Sequence, residues 1–164
     1  MFLLDTPLVL ELRLAQSGGA DARLVAWANA TPRERLFLSA ISLVEIEGAA
    51  ARAARTDKAA GAKMRRWIDE RLIPAFDGHI LPLDAAVARR RAMVALAETR
   101  DALLAATAIE HGLTLVTRER AAFRGVKMRL LDPADHQALP EEEGDWRAAT
   151  RSGPLWLRNL FIRG

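Results

Sequence analysis

Asp101-Ala102-Leu103-Leu104-Ala105-Ala106-Thr107-Ala108, followed by His111-Gly112 and then Leu113-Thr114-Leu115-Val116-Thr117, changes from one structural period to another in a single passage. Alanine and leucine favour a helix over the first part, and Gly112 stands where a helix ends in the left-handed conformation. The short apolar run after it reads as a buried strand. A helix feeding a buried strand is one half of a βαβ repeat, and the same alternation extends in both directions. Phe2–Leu4 reads as a short central strand, broken by Thr6-Pro7, with Leu8–Leu14 opening a helix. Asp21 is placed to cap a helix through Leu24, Val25 and Trp27. Leu36–Ile41 reads as a second strand, and Ser42 as the cap of a helix that carries Glu45 into the alanine-rich 49–54. Gly61–Leu72 places Met64, Trp67, Ile68 and Leu72 on one apolar face. His79–Leu83 is a third strand, Asp84 a helix cap, Arg120–Phe123 a helical turn and Lys127–Leu131 a last strand. Strands alternating with helices predict an α/β fold, a three-layer α/β/α sandwich with a mainly parallel sheet of four to five strands.

In a parallel sheet the carboxyl ends of the strands share one edge, and crevices along that edge bind ligands. Four acids fall at such places. Asp5 ends the first strand, Glu45 follows the second, Asp101 opens its helix and Glu119 comes two residues after Thr117. Carboxylates gathered there repel one another and call for a cation, and an all-oxygen set suits Mg²⁺ or Mn²⁺. The chemistry this implies is cutting of a phosphodiester. Taken singly, each acid has a plainer reading: Asp5 and Asp101 as helix caps, Glu45 as helix surface, Glu119 as a surface partner of Arg118 or Arg120. Glu47, two residues past Glu45, is the internal control and is expected to face solvent.

The 164 residues suit one domain with a sizeable core, and 51% hydrophobic content marks a globular chain. With no cysteine, disulfides, thiolate metal sites and thiol nucleophiles are excluded. His79, His111 and His136 lack zinc-ligand spacing. There is no Gly-rich phosphate loop and no Ser-His-Asp set. Met1–Val9 contains Asp5 and no basic leader, a poor signal peptide, and no apolar stretch reaches the roughly 20 residues of a membrane span. A cytoplasmic protein is expected. A net charge of +3 gives mild support to a polyanionic partner. Arg89-Arg90-Arg91 reads as a solvated helix face or, less simply, as a nucleic-acid contact.

Taken together, these segments resemble the PIN-domain ribonucleases, specifically the VapC-type toxins of bacterial toxin–antitoxin pairs. The resemblance runs through Met1–Thr6, Leu38–Glu45, Ile73–Phe76 with Ile80–Asp84, Asp101–Leu113, and Leu115–Glu119 with Leu130–Pro133. It implies a nuclease domain over 1–133 and an extension over 134–164. It implies a metal-dependent endoribonuclease acting on RNA such as tRNA or rRNA, a homodimer, and an antitoxin partner whose basic side chain reaches the acids. Asp5, Glu45, Asp101 and Glu119 would then be the catalytic and metal-binding residues, with Thr6 and Thr117 orienting water or phosphate and Arg118 and Arg120 gripping the RNA backbone. Against the family pattern, Pro7 replaces an asparagine, Glu119 is often aspartate, and the connection before Asp101 is short. Either Thr99 restarts a helix there, or one helix runs from Ala85 to His111 for about 40 Å. These departures keep open a catalytically impaired PIN-like module that binds RNA or protein. The tail, with Trp146, Trp156 and an apolar end, is expected to pack on the domain, a second copy or a partner, or to lie over its own groove.

Overall fold

The computed structural model describes residues 1–135 and, in the tail, Trp156 and Leu160. Strand β1 (Phe2–Leu4) leads into α1 (Thr6–Leu12), and α2 (Ala22–Ala30) precedes β2 (Leu36–Ser39). Two long helices follow, α3 (Ala40–Thr56) and α4 (Lys58–Trp67); a wide π turn, Ile68–Leu72, continues into the short α5 (Ile73–Ala75). Then come β3 (Ile80–Leu81), α6 (Ala85–Ala92), α7 (Thr99–Glu110), β4 (Thr114–Val116) and β5 (Leu130–Leu131). The five strands pair in the order β3-β2-β1-β4-β5, every pair parallel. Short apolar strands, most buried at the centre of the sheet and joined by helical segments, favour this parallel arrangement.

Adjacent strand residues point to opposite faces, so β1 seeds two cores at once. Leu4 joins Leu8, Leu12, Trp27, Leu38, Ile46, Trp67 and Phe76 on one face. Leu3 joins Val87, Leu104, Leu115 and Phe123 on the other. The three-layer α/β/α sandwich expected from the sequence is thus the fold observed.

The chain winds outward from β1 to β3 and then returns to place β4 on the other side of β1. That reversal is a topological switch point, where the crossover helices part and leave a crevice at the carboxyl ends.

Several boundaries differ from expectation. The first helix starts at Thr6 rather than Leu8, with Pro7 in its first turn, where the missing N–H costs nothing. The second strand stops at Ser39, whose hydroxyl accepts from the Ile41 N–H and caps α3; Ser42 lies inside that helix, buried. The last strand is Leu130–Leu131 rather than Lys127–Leu131. The continuous helix from Ala85 to His111 does not form. Arg91 donates to the carbonyls of Val94 (3.2 Å) and Leu96 (3.4 Å), closing a turn between α6 and α7, while Arg90 pairs with Glu110 at 2.9 Å. Two of the three arginines in that run therefore hold α6 to its neighbours, and Arg89 is exposed. Asp84 and Gly112 behave as expected: Asp84 accepts from Val87 N–H, and Gly112 has φ 63°. Among the described residues, no helix is long and apolar enough to cross a membrane.

The α3–α4 hairpin turns on Asp57, which caps α4 by accepting from Ala59 and Ala60. Past this turn the helices approach so closely that a Cβ on Gly61 would collide with the backbone and Cβ of Ala54. Alanine is the better helix former by about 0.5–1 kcal/mol, but forced overpacking costs about 1–3 kcal/mol. Gly61→Ala is therefore expected to lower stability by about 1–2 kcal/mol in urea denaturation, and a stabilised variant would mean the two helices do not meet there.

Candidate active site

Each acid reaches the carboxyl edge by a different local device. Asp5 follows β1 as the N-cap of α1, its Oδ1 accepting from Thr6 N–H at 2.8 Å. Its side chain is almost entirely buried, and its other oxygen accepts from the Thr117 hydroxyl at 2.7 Å. Thr117 in turn follows β4 and is fully buried. Glu45 projects from the second turn of α3 and accepts from the Thr6 hydroxyl. Asp101 lies in the first turn of α7 but does not cap it; Glu98 holds that position. The cap reading thus holds for Asp5 and fails for Asp101.

These three acids meet on one cation. Arg100 donates through Nη2 to Asp5, through Nε to Glu45 at 3.1 Å and through Nη1 to Asp101 at 2.7 Å. Burial alone would pull the Arg100 guanidinium down, yet the hydrogen bond to Asp101 and the charges of Asp5 and Glu45 hold it above the ordinary arginine value. A nearly buried carboxylate such as Asp5 is costly without such a partner. A cleft of about 400 Å³ opens at this point, lined among others by Thr6, Glu45, Arg52, Arg100, Asp101 and Glu119. Glu119 is exposed at its rim, its N–H donating to the Thr117 hydroxyl at 3.0 Å.

The other candidates lie elsewhere. Arg118 is engaged by Glu11, whose hydrogen bond raises the guanidinium above its usual value, and Arg120 by Asp135; neither lines the cleft. Glu47, the control, pairs with Arg65 of α4 and also stays out of the cleft. Two arginines that do line it, Arg100 and Arg52, escaped the reading of the sequence. Arg52 had a usable signal, since it stands seven residues after Glu45 and two helical turns bring it to the same face.

The donors in reach are all oxygen, four carboxylates and two threonine hydroxyls, which suits a hard divalent ion and no soft one. As the side chains stand, no three carboxylates or imidazoles among the described residues close on one metal-sized point. They close instead on the broader guanidinium. The chemistry of the set fits a divalent ion, and its present spacing is that of an arginine complex.

Residues 2–127 match the PIN domain family. The chain belongs to that family. This PIN domain is 31% identical to the VapC ribonuclease Y4jK of Sinorhizobium fredii, the match covering 81% of the chain and 97% of the relative. It is also 31% identical to toxin FitB of Neisseria gonorrhoeae, over 81% of the chain and 98% of the relative. The crystal structure of FitAcB from the same organism superposes with a TM-score of 0.74 at 28% identity, covering 82% of this chain and 99% of that one. The relatives are thus spanned almost whole, and they place this PIN domain among the VapC-type toxins.

Proposed function

We propose that this PIN domain is the ribonuclease toxin of a toxin–antitoxin pair, a Mg²⁺- or Mn²⁺-dependent endoribonuclease. The observation that carries the reading is the meeting of Asp5, Glu45 and Asp101 on one guanidinium at the carboxyl edge, with Glu119 on the rim of the same cleft. Asp5 and Asp101 are the best direct ligands, being short and rigidly based. Glu45 either joins them or takes the proton of the attacking water, and Glu119 reaches in from the rim. When bound, a divalent ion supplies Lewis-acid polarisation of the scissile phosphate and a more acidic water. Thr6 and Thr117 hold Glu45 and Asp5 in place from behind, as partners that fix ligand orientation do. Arg52 faces the same space and suits a backbone phosphate oxygen.

The substrate class is RNA, with structured targets such as tRNA or rRNA following from the family. An antitoxin partner, a homodimer and a cytoplasmic location rest on the same ground. For the extension from 134 to 164, we propose packing on its own domain. Leu160 is fully buried beside Trp67, whose indole N–H donates to the Leu160 carbonyl at 2.6 Å, and this supports the reading. Trp146 and most of the remaining tail lie outside the described residues.

The purified protein is expected to cleave single-stranded RNA with added Mg²⁺ and to stop when the ion is chelated. A catalytically impaired binding module is the second reading, favoured by the arginine seated among the acids. RNA binding without cleavage at any Mg²⁺ or Mn²⁺ concentration would establish it instead.

A further inference from the structure

Arg100 and Asp101 are sequence neighbours in the first turn of α7, and neighbours on a helix do not ordinarily face each other. Here the arginine folds back so that three of its nitrogens each take a different carboxylate. The oxygens it engages are Asp5 Oδ1, Glu45 Oε2 and Asp101 Oδ1, the same atoms an ion would need. Beyond Arg100, the donors to Asp5 among the described residues are neutral, the Thr6 N–H and the Thr117 hydroxyl, and Glu45 has the Thr6 hydroxyl. Among the described residues, Arg100 is therefore the charge in direct contact with this cluster. Its side chain is 24% exposed, on the cleft side of the cluster.

We propose that Arg100 is a tethered counter-cation that exchanges with the divalent ion, and so sets the ion concentration at which this site works. The inference rests on the acidic-site reading above. Being covalently attached, the guanidinium competes at a high effective concentration whatever the solution composition. Arginine does not deprotonate in proteins, so it leaves by displacement and not by titration. The apparent affinity for the ion is then reduced by the fraction of molecules in which Arg100 is off the acids. A structural latch that merely ties α7 to β1 and α3 makes the opposite forecast. Removing a latch loosens the ligands and weakens ion binding, whereas removing a competitor strengthens it.

The test is Mn²⁺ affinity, read from the EPR signal of free Mn²⁺, for the full-length wild type, Arg100→Met and Arg100→Lys. Arg100→Met is expected to bind at least tenfold more tightly than wild type, with Arg100→Lys between them. Should the Met variant fail to fold, the wild type, with Arg100→Lys to assign the signal, still decides. With ¹⁵N-labelled arginine, the Nε–H resonance that disappears in Arg100→Lys is expected to shift as Mg²⁺ is added. Equal or weaker Mn²⁺ binding in Arg100→Met, or an Nε–H signal unmoved at saturating Mg²⁺, overturns the exchange while leaving the metal site intact. No Mn²⁺ binding in any of the three proteins removes the acidic site itself, and the exchange with it.

Discussion

Asp5→Asn is expected to reduce Mg²⁺-dependent cleavage of single-stranded RNA by more than about a hundredfold while the chain stays folded. Loss of a partner that only orients a metal ligand already costs about 10–100-fold, so loss of a ligand's own charge should exceed that. The asparagine keeps an oxygen for the Thr6 N–H, so α1 retains its cap. What disappears is the negative charge between β1 and β4, on which both Arg100 and the Thr117 hydroxyl converge. Weakening one side of a largely buried charged contact costs about 1–3 kcal/mol. Metal-free stability in urea is expected to fall by that amount, measured in the same preparation as the cleavage. A variant retaining more than a tenth of wild-type cleavage would remove Asp5 from the site.

The second large effect concerns the tail. Leu160 is fully buried in the cluster that holds Leu4, Trp67 and Phe76, with Trp156 packed against it. Leu→Ala at a filled core position costs about 2–5 kcal/mol through lost transfer energy and the cavity left behind. Leu160→Ala is expected to show that loss in thermal or urea unfolding, with cleavage at 25 °C unchanged. A loss below about 0.5 kcal/mol would mean the tail is not part of this core. Truncation after Pro133 separates packing from inhibition: insolubility without gained activity supports packing, and increased cleavage supports a tail that covers the groove.

The architecture was legible because its signals are local and chemically definite. Asp84 caps, Gly112 takes the left-handed position, and the runs at Phe2–Leu4 and Leu113–Thr117 are short and mainly apolar. Boundaries were less so where one apolar run crosses two elements. Leu36–Ile41 passes from strand to helix with Ser39 as its one polar residue, and the bond from Ile41 N–H to the Ser39 hydroxyl marks the change. The start of the first helix was displaced by two residues for a related reason: Thr6-Pro7 ends the strand as expected, but Pro7 also fits the first turn of the helix that follows. The placement of Asp5, Glu45 and Asp101 at one edge, with Glu119 on the rim, was legible, since alternation brings strand ends to one edge. Arg100 was not. Its side chain has several rotatable bonds, and no periodicity says whether it turns toward solvent or back across the edge. Arg118 shows the converse, an arginine beside a candidate acid that turns instead to Glu11 and helps tie α1 to α2.

The acids at the carboxyl edge are most directly tested by diffraction from crystals soaked in Mn²⁺, with anomalous differences recorded near the manganese edge. The expected result is a peak bonded to Asp5 and Asp101, with the Arg100 guanidinium moved off both. A well-ordered site with no anomalous peak, and Arg100 still on its three carboxylates at saturating Mn²⁺, would contradict it.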